Sequence, residues 1–337
     1  MNEAKADCGK TWAAFVVLGL GMLPLVATSA DEVSDSSWYG DWSIDLQSET
    51  PAWLRIERTP NGPEVRFRLH VGSDGRHSNV QVKDGQLQFT LKQNRKARDQ
   101  KIVRLRVDGE QLTGELLTQG PYNKTTDPFV GHRIPAMPDS APDLNRVRFE
   151  MPRAIFNGKD LNGWRPHESD KINGWSVQDG MLVNTTPKTD FSATGAYANL
   201  RTEEEFEDFW LHLEFLVEEN RNSGVYLRGM YEAQVVDRDS RMQGIQGVGA
   251  IFGAIEPRIN AGLPGGQWQT YDLTLVDRHV TVVLNGEKVI DNQPISAPTA
   301  GAVFTDPSKP GPLLLQGDHT NVKYRNLYIA PVVSSNE

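Results

Sequence analysis

Between residues 209 and 217 the chain alternates: Phe209, Leu211, Leu213, Phe215 and Val217 recur at every second position, interleaved with Trp210, His212, Glu214 and Leu216. A period of two is the side-chain period of a β-strand, whose successive residues face opposite sides of a sheet. The pattern returns in Glu64-Val65-Arg66-Phe67-Arg68-Leu69-His70 and in Lys101-Ile102-Val103-Arg104-Leu105-Arg106-Val107. It returns again over residues 271–275 and 280–284. Glycine, asparagine and aspartate separate these runs, and almost no stretch repeats with the 3.6-residue period of a helix. Asp84-Gly85, Asp108-Gly109 and Asn285-Gly286 are dipeptides that tolerate the positive φ angles of tight hairpin turns. The chain is therefore expected to be all-β, built from antiparallel sheets with one wet face.

A length of 337 residues suggests two domains. Residues 31–134 contain seven or eight short strands and form a small antiparallel barrel or sandwich. Pro135-Ala136-Met137-Pro138-Asp139-Ser140-Ala141-Pro142-Asp143 follows. Proline lacks an N–H and fixes φ, so this segment cannot join a ladder. It marks a linker over 135–151, with the boundary near Ala141. Residues 152–332 carry longer, more apolar strands, enough for a two-sheet sandwich with a sizeable core. The linker is expected to be the point most open to proteases. The second block is expected to fold alone and to carry any sugar chemistry, leaving substrate reach or localisation to the first.

The amino-terminal 30 residues read as a targeting segment. Lys5 and Lys10 precede an apolar run over residues 12–26, which ends in Ala27-Thr28-Ser29-Ala30. These are the charged, apolar and small-residue regions of a secretory signal peptide. The run is shorter than the roughly 20 residues of a spanning helix, so the mature chain is expected to start near Asp31 and to be exported, with no stable membrane insertion. The single cysteine, Cys8, lies in that segment. A mature chain without it has no disulfide, cysteine nucleophile or cysteine-ligated zinc. The formal net charge of −9 argues against a nucleic-acid partner.

Several motifs occur in order along the second block. Phe156-Asn157-Gly158-Lys159-Asp160-Leu161-Asn162-Gly163-Trp164 opens it, followed by Trp175-Ser176-Val177-Gln178-Asp179-Gly180-Met181-Leu182. Asn222-Ser223-Gly224-Val225-Tyr226-Leu227-Arg228-Gly229, Tyr231-Glu232-Ala233-Gln234-Val235-Val236-Asp237 and Gly249-Ala250-Ile251-Phe252-Gly253 come next. Trp268-Gln269-Thr270-Tyr271-Asp272, Leu315-Gln316-Gly317-Asp318-His319 and Tyr324-Arg325-Asn326-Leu327 complete the series. Together they resemble the 3-keto-disaccharide hydrolase family over residues 152–332. The resemblance implies a concanavalin-like jelly roll. It further implies an exported bacterial enzyme acting on glycosides oxidised to a ketone at C3, by hydrolysis or by elimination followed by hydration. The Glu-x-Asp-x-x-Glu strand motif of laminarinase-type glucanases, a carboxylate pair for intact glycosides, does not occur.

Within this block the hairpin at residues 222–237 is the first candidate site. Strand alternation puts Val225, Leu227, Ala233 and Val235 on the core face, and Tyr226, Arg228, Glu232 and Gln234 on the other. Tyrosine can stack on a sugar ring, and the polar three can fork hydrogen bonds to vicinal hydroxyls. Asn222, Asp237 and Trp268 join Tyr226 and Gln234 as candidate sugar contacts. Alternatively, Arg228 and Glu232 form a cross-strand ion pair on a solvated face. His319 is the second focus, since a histidine at a strand end beside Asp318 can be an oriented base. The other histidines lack such a context. Asp237-Arg238-Asp239-Ser240 could hold a divalent metal ion, though it lacks the longer pattern of a calcium loop; no other cofactor is indicated. Residues 244–253 are expected to form a flexible rim.

A C3 ketone acidifies the proton on C2, and its removal gives an enolate that expels the C1 substituent. That chemistry needs a base, an acid and a donor at the ketone oxygen. His319 or Glu232 is expected as base and acid, and Arg228 at the oxyanion. No nicotinamide fingerprint is present, so a separate oxidoreductase would have to supply the ketone. The alternative is a non-catalytic carbohydrate-binding or cell-surface interaction protein.

Overall fold

The computed structural model describes residues 38–48, 51–69, 75–77, 79–91, 99–121, 124–187 and 192–333. The targeting segment expected at 1–30, including Cys8, lies outside the described residues.

The first block is one antiparallel sheet of nine strands: β1 (Gly40–Leu46), β2 (Pro51–Thr59), β3 (Gly62–Leu69), β4 (Gly75–His77), β5 (Gln81–Lys83), β6 (Gln86–Thr90), β7 (Gln100–Asp108), β8 (Gln111–Gln119) and β9 (Lys124–Arg133). Their spatial order is β4-β3-β2-β1-β9-β8-β7-β6-β5. Among the described residues no ladder joins β4 to β5, so the barrel is open. The sheet nevertheless curls on itself. Phe67 on β3 and Phe89 on β6 have five strands between them in that order, yet their ring centroids are 5.8 Å apart. Curling brings inward residues such as Trp42, Ile44, Leu54, Val65 and Leu105 into one core.

The second block is a sandwich of two sheets. Its strands are β10 (Arg153–Ala154), β11 (Trp164–Pro166), β12 (Trp175–Gln178), β13 (Met181–Asn184), β14 (Leu200–Phe206), β15 (Phe209–Leu216), β16 (Asn222–Leu227), β17 (Tyr231–Val236), β18 (Trp268–Val276), β19 (His279–Leu284), β20 (Glu287–Pro294), β21 (Gly311–Leu315) and β22 (Val322–Pro331). One sheet runs β12-β13-β22-β15-β18-β19-β20, with β10 beside β22, and the other runs β11-β14-β21-β16-β17. Phe209, Leu211, Leu213 and Phe215 of β15 face Val225, Leu227, Ala233, Val235, Leu313 and Leu315 of the smaller sheet across a common core. This is the concanavalin-like jelly roll.

The smaller sheet is covered on both faces, and every residue of β16 and β17 is buried. Residues 249–252 also cover the open edge of β17: Gln234 donates its backbone N–H to Ala250 O at 3.0 Å, and Phe252 to Glu232 O at 2.9 Å. An edge strand left bare would template pairing with other chains. The stretch expected as a flexible rim is thus bound to the sheet by backbone hydrogen bonds.

Both blocks belong to one compact unit. The segment between them is mostly exposed and makes no ladder over 135–143, but it is anchored on the second block. Arg278 Nη1 donates to Pro135 O at 2.7 Å, and Asn292 Nδ2 to Pro142 O at 2.8 Å. Pairing with the last strand begins already at Phe149, which bridges to Val332.

Candidate functional site

On the face of the smaller sheet turned away from the core, β16, β17 and β21 set three side chains side by side. Tyr226 pairs in register with Glu232 on one side and with Leu314 on the other. Loops close over them to leave a cavity of about 310 Å³, the lower end of the range for small-molecule sites. Asn222, Tyr226, Glu232, Gln234, Gln316 and His319 supply polar groups, and Met242, Phe252, Ala300 and Leu314 an apolar floor.

Glu232 is 4% exposed. Burial is the main force on its carboxyl and raises its pKa to about 8; the Tyr226 phenol pulls it down, and the charge of Asp318 adds to the rise. Taking a carboxylate out of water disfavours its charged form, so Glu232 is a neutral acid at pH 7. Burial also pushes the Tyr226 phenol well above its ordinary range, with the Glu232 carboxyl adding to the shift. Its hydroxyl donates to Ala300 O at 3.0 Å and accepts from Gln316 Nε2 at 3.3 Å.

His319 Nδ1 lies 2.6 Å from Asp318 Oδ1, so the carboxylate fixes the orientation of the ring. With the proton on Nδ1, the basic lone pair belongs to Nε2. Two pocket amides hold unused acceptors: Asn222 Oδ1 and Gln316 Oε1 are buried without a hydrogen-bond partner. Such groups cost free energy unless a ligand or water satisfies them. Gln234 is more committed, donating to Gln246 O at 3.1 Å and accepting from Val235 N.

Three expected site residues stand elsewhere. Arg228 was placed with Tyr226 by counting strand alternation through it, but β16 ends at Leu227. Arg228 and Gly229 take φ of 55° and 64°, and Met230 N bonds Leu227 O at 3.0 Å, the mark of a two-residue hairpin turn with both central φ positive. The guanidinium is carried away from the cavity and donates to the carbonyls of Pro307, at 2.8 Å, and Lys309. The cross-strand ion pair with Glu232 does not form either, since the register partner of Glu232 is Tyr226. Asp237 is buried, and its carboxylate accepts the backbone N–H groups of Asn220 at 2.8 Å and Asp239 at 3.1 Å. It closes a loop outside the cavity, while Asp239 pairs with Arg238. No cluster of three or more metal-ligating side chains occurs among the described residues. Trp268 lies on β18 of the opposite sheet, beneath the Arg325 guanidinium, 3.9 Å from its ring centroid.

Some site features escaped the sequence reading. Gly224 is one: a Cβ there would come within 2.3 Å of Glu232 Oε1, so the carboxyl lies directly over the glycine. A glycine inside a buried strand is a recognised sign of such close approach. Gln316 sits just past the end of β21, three residues before His319. Thr299, whose Oγ1 accepts the Glu232 N–H at 3.0 Å and donates to Met230 O at 3.0 Å, gives no local signal, because its role depends on a distant strand.

Comparison with known proteins places this geometry in context. The profile described as a 3-keto-alpha-glucoside-1,2-lyase-like domain matches residues 151–330. A curated 3-keto-disaccharide hydrolase from Bacteroides thetaiotaomicron is 30% identical over 73 residues, 21% of this chain and 25% of that protein. The chain thus spans about a quarter of the length of that curated relative. Among solved structures, a provisionally named glycosyl hydrolase from Parabacteroides distasonis is similar over 54% of this chain and 94% of that one, at 20% identity and a TM-score of 0.42. Porphyranase B from Zobellia galactanivorans is similar over 60% of this chain and 100% of that one, at 11% identity and a TM-score of 0.35.

Proposed function

We propose that this chain, which belongs to the 3-keto-alpha-glucoside-1,2-lyase-like family, breaks the C1–O bond of glycosides already oxidised to a ketone at C3. The observation that carries this reading is the meeting, in one cavity, of a buried carboxyl held neutral and a histidine oriented by an aspartate. A carboxyl kept protonated by burial beside a histidine ring held by a carboxylate offers a proton donor and a proton acceptor in one cavity.

The ketone makes the C2 proton removable. His319 Nε2 takes that proton, and the electron pair forms the enolate. As the enolate collapses to the C1=C2 double bond, the C1–O bond breaks and Glu232 gives its proton to the departing oxygen. The products are an alcohol or second sugar and an unsaturated ketose ring. Water then adds across the double bond, its hydroxyl to C1 and its proton to C2, so the sum is hydrolysis. Asn222 and Gln316 hold acceptors ready for the sugar hydroxyls. The ketone requires an earlier oxidation at C3 by a separate oxidoreductase, and the targeting segment supports action outside the cytoplasm.

The test is to incubate the purified protein with a 3-keto-disaccharide and with its parent disaccharide and to follow sugar release. Release from the keto form alone supports the proposal. Binding without release transfers support to the carbohydrate-binding reading. Release from the parent at an equal rate refutes a role for the ketone.

A further inference from the structure

The outer face of the nine-stranded sheet carries a row of residues that ought to be wet and is not. Trp42, Ile44 and Leu54 point into the open barrel, so alternation sends Ser43 and Trp53 outward. Ser43 is nonetheless 3% exposed and Trp53 0%. Ser43 pairs with Trp53, and Trp53 with Arg68, so the three form one row across β1, β2 and β3. The loop joining β20 to β21 in the second block covers this row. Ser43 Oγ bonds Thr305 Oγ1 at 2.9 Å, Arg68 donates to Pro298 O, and Trp53 lines one small cavity together with Pro298, Thr299 and Thr305.

The same loop is the roof of the cavity. Ala300 and Gly301 line it. Ala300 O holds the Tyr226 hydroxyl, and Thr299 Oγ1 holds the Glu232 amide. Thr299, which lines the small cavity with Trp53, therefore also holds the backbone of Glu232, and so stands between the first block and the acid's strand.

We infer that the first block is a positioning element of the active site: the Ser43–Trp53–Arg68 row presses the β20–β21 loop onto the β16–β17 hairpin and so sets the place of Tyr226 and Glu232. The contacts oppose the expectation that the second block works unaided. Trp53 is a positioning residue, since it acts through the loop. The inference rests on the proposed reaction only for what the site does, not for how it is held.

The experiment uses the full chain with Trp53→Ala, and with Trp53→Phe as the conservative variant. Two readouts are taken: turnover of a 3-keto-disaccharide, and hydrogen exchange of the Glu232 amide. Misplacing a reacting group by about 1 Å costs on the order of 100-fold, so Trp53→Ala is expected to lower kcat by about 10- to 100-fold. The Glu232 amide should exchange faster, with the melting transition of the chain still present. Trp53→Phe should restore most of both. Should Trp53→Ala fail to fold, Thr305→Ala breaks the contact from the loop side and is read in the same way. Faster exchange confined to residues 298–305, with the Glu232 amide and kcat unchanged, overturns the inference. A wild type that turns over no keto-glycoside, while the variant still loosens the Glu232 amide, refutes the proposed reaction and leaves the positioning role supported.

Discussion

Gly224→Ala separates what the site needs from what the fold needs. Gly224 has no positive φ, so its strand backbone accepts an alanine. The new Cβ, however, would stand 2.3 Å from Glu232 Oε1, 2.8 Å from its Cγ and 2.9 Å from its Cδ. The ordinary limit of contact is 3.4 Å, so the carboxyl oxygen must retreat by about 1.1 Å. The atoms displaced are the Glu232 side chain from Cγ outward, a flexible segment with no backbone in the clash, so the strand itself need not move. Overpacking of this kind costs about 1–3 kcal/mol, partly offset by the ~0.4–1 kcal/mol that alanine contributes by restricting the unfolded chain. The melting temperature should fall by no more than a few degrees. The acid, by contrast, is displaced by the distance that costs on the order of 100-fold in rate. Calorimetry and turnover of a 3-keto-disaccharide measure the two effects on one sample. A Gly224→Ala variant with wild-type turnover would refute the placement of the reacting acid at the Glu232 carboxyl.

Five further outcomes follow from the same geometry. Glu232→Gln should lower kcat by about 10²–10⁴-fold, the usual range for a general acid, and remove the alkaline limb expected of the wild type as Glu232 loses its proton near pH 8. The same variant should be more stable than wild type in alkali: the folded pKa of Glu232 lies above the ordinary glutamate value of 4.5, so the unfolded chain binds fewer protons between about pH 4.5 and 8 and stability falls across that window; equal melting temperatures at pH 5 and pH 9 in both proteins would contradict this. Asp318→Asn should cost about 10²-fold or more by releasing the ring of His319, with KM little changed if Asp318 acts only through the histidine. Arg228→Ala should destabilise the chain by about 1.5–3 kcal/mol, the scale of a hydrogen bond to a charged group, and Trp268→Ala should leave kcat/KM within about twofold; both are checked by thermal melts beside kinetics.

The sequence made the strands plain because burial there is decided locally. Two-residue alternation over 209–217 places each side chain without knowledge of the rest of the chain, and Asn285-Gly286 adopts φ of 53° and 85° for reasons internal to the dipeptide. The cavity was partly legible for the same reason: Tyr226, Glu232 and Gln234 share a face through alternation alone. Arg228 shows where such counting stops. One residue past the strand end the backbone turns left-handed, and the side chain leaves the face that parity assigns to it. What local pattern could not carry was the identity of the covering layer. The Ser43–Trp53–Arg68 row reads as an ordinary wet face, and Thr299 as an ordinary loop threonine. Each acquires meaning only when residues more than 200 positions apart meet, as Ser43 and Thr305 do.

That meeting also gives Arg228 a role its expected one concealed. The β20–β21 loop is held by the first block at Pro298 and Thr305 and by Arg228 at Pro307 and Lys309. Val303 and Phe304 bond Gly229 O between them. The roof of the cavity is thus fastened on both sides of the two residues, Thr299 and Ala300, that hold Glu232 and Tyr226. A buried carboxyl with a pKa raised to about 8 stays neutral only while water is kept out, and a roof fastened at one end alone would open with the free motion of its other end. The turn that carries Arg228 out of the cavity is what places its guanidinium to hold the loop that covers Glu232.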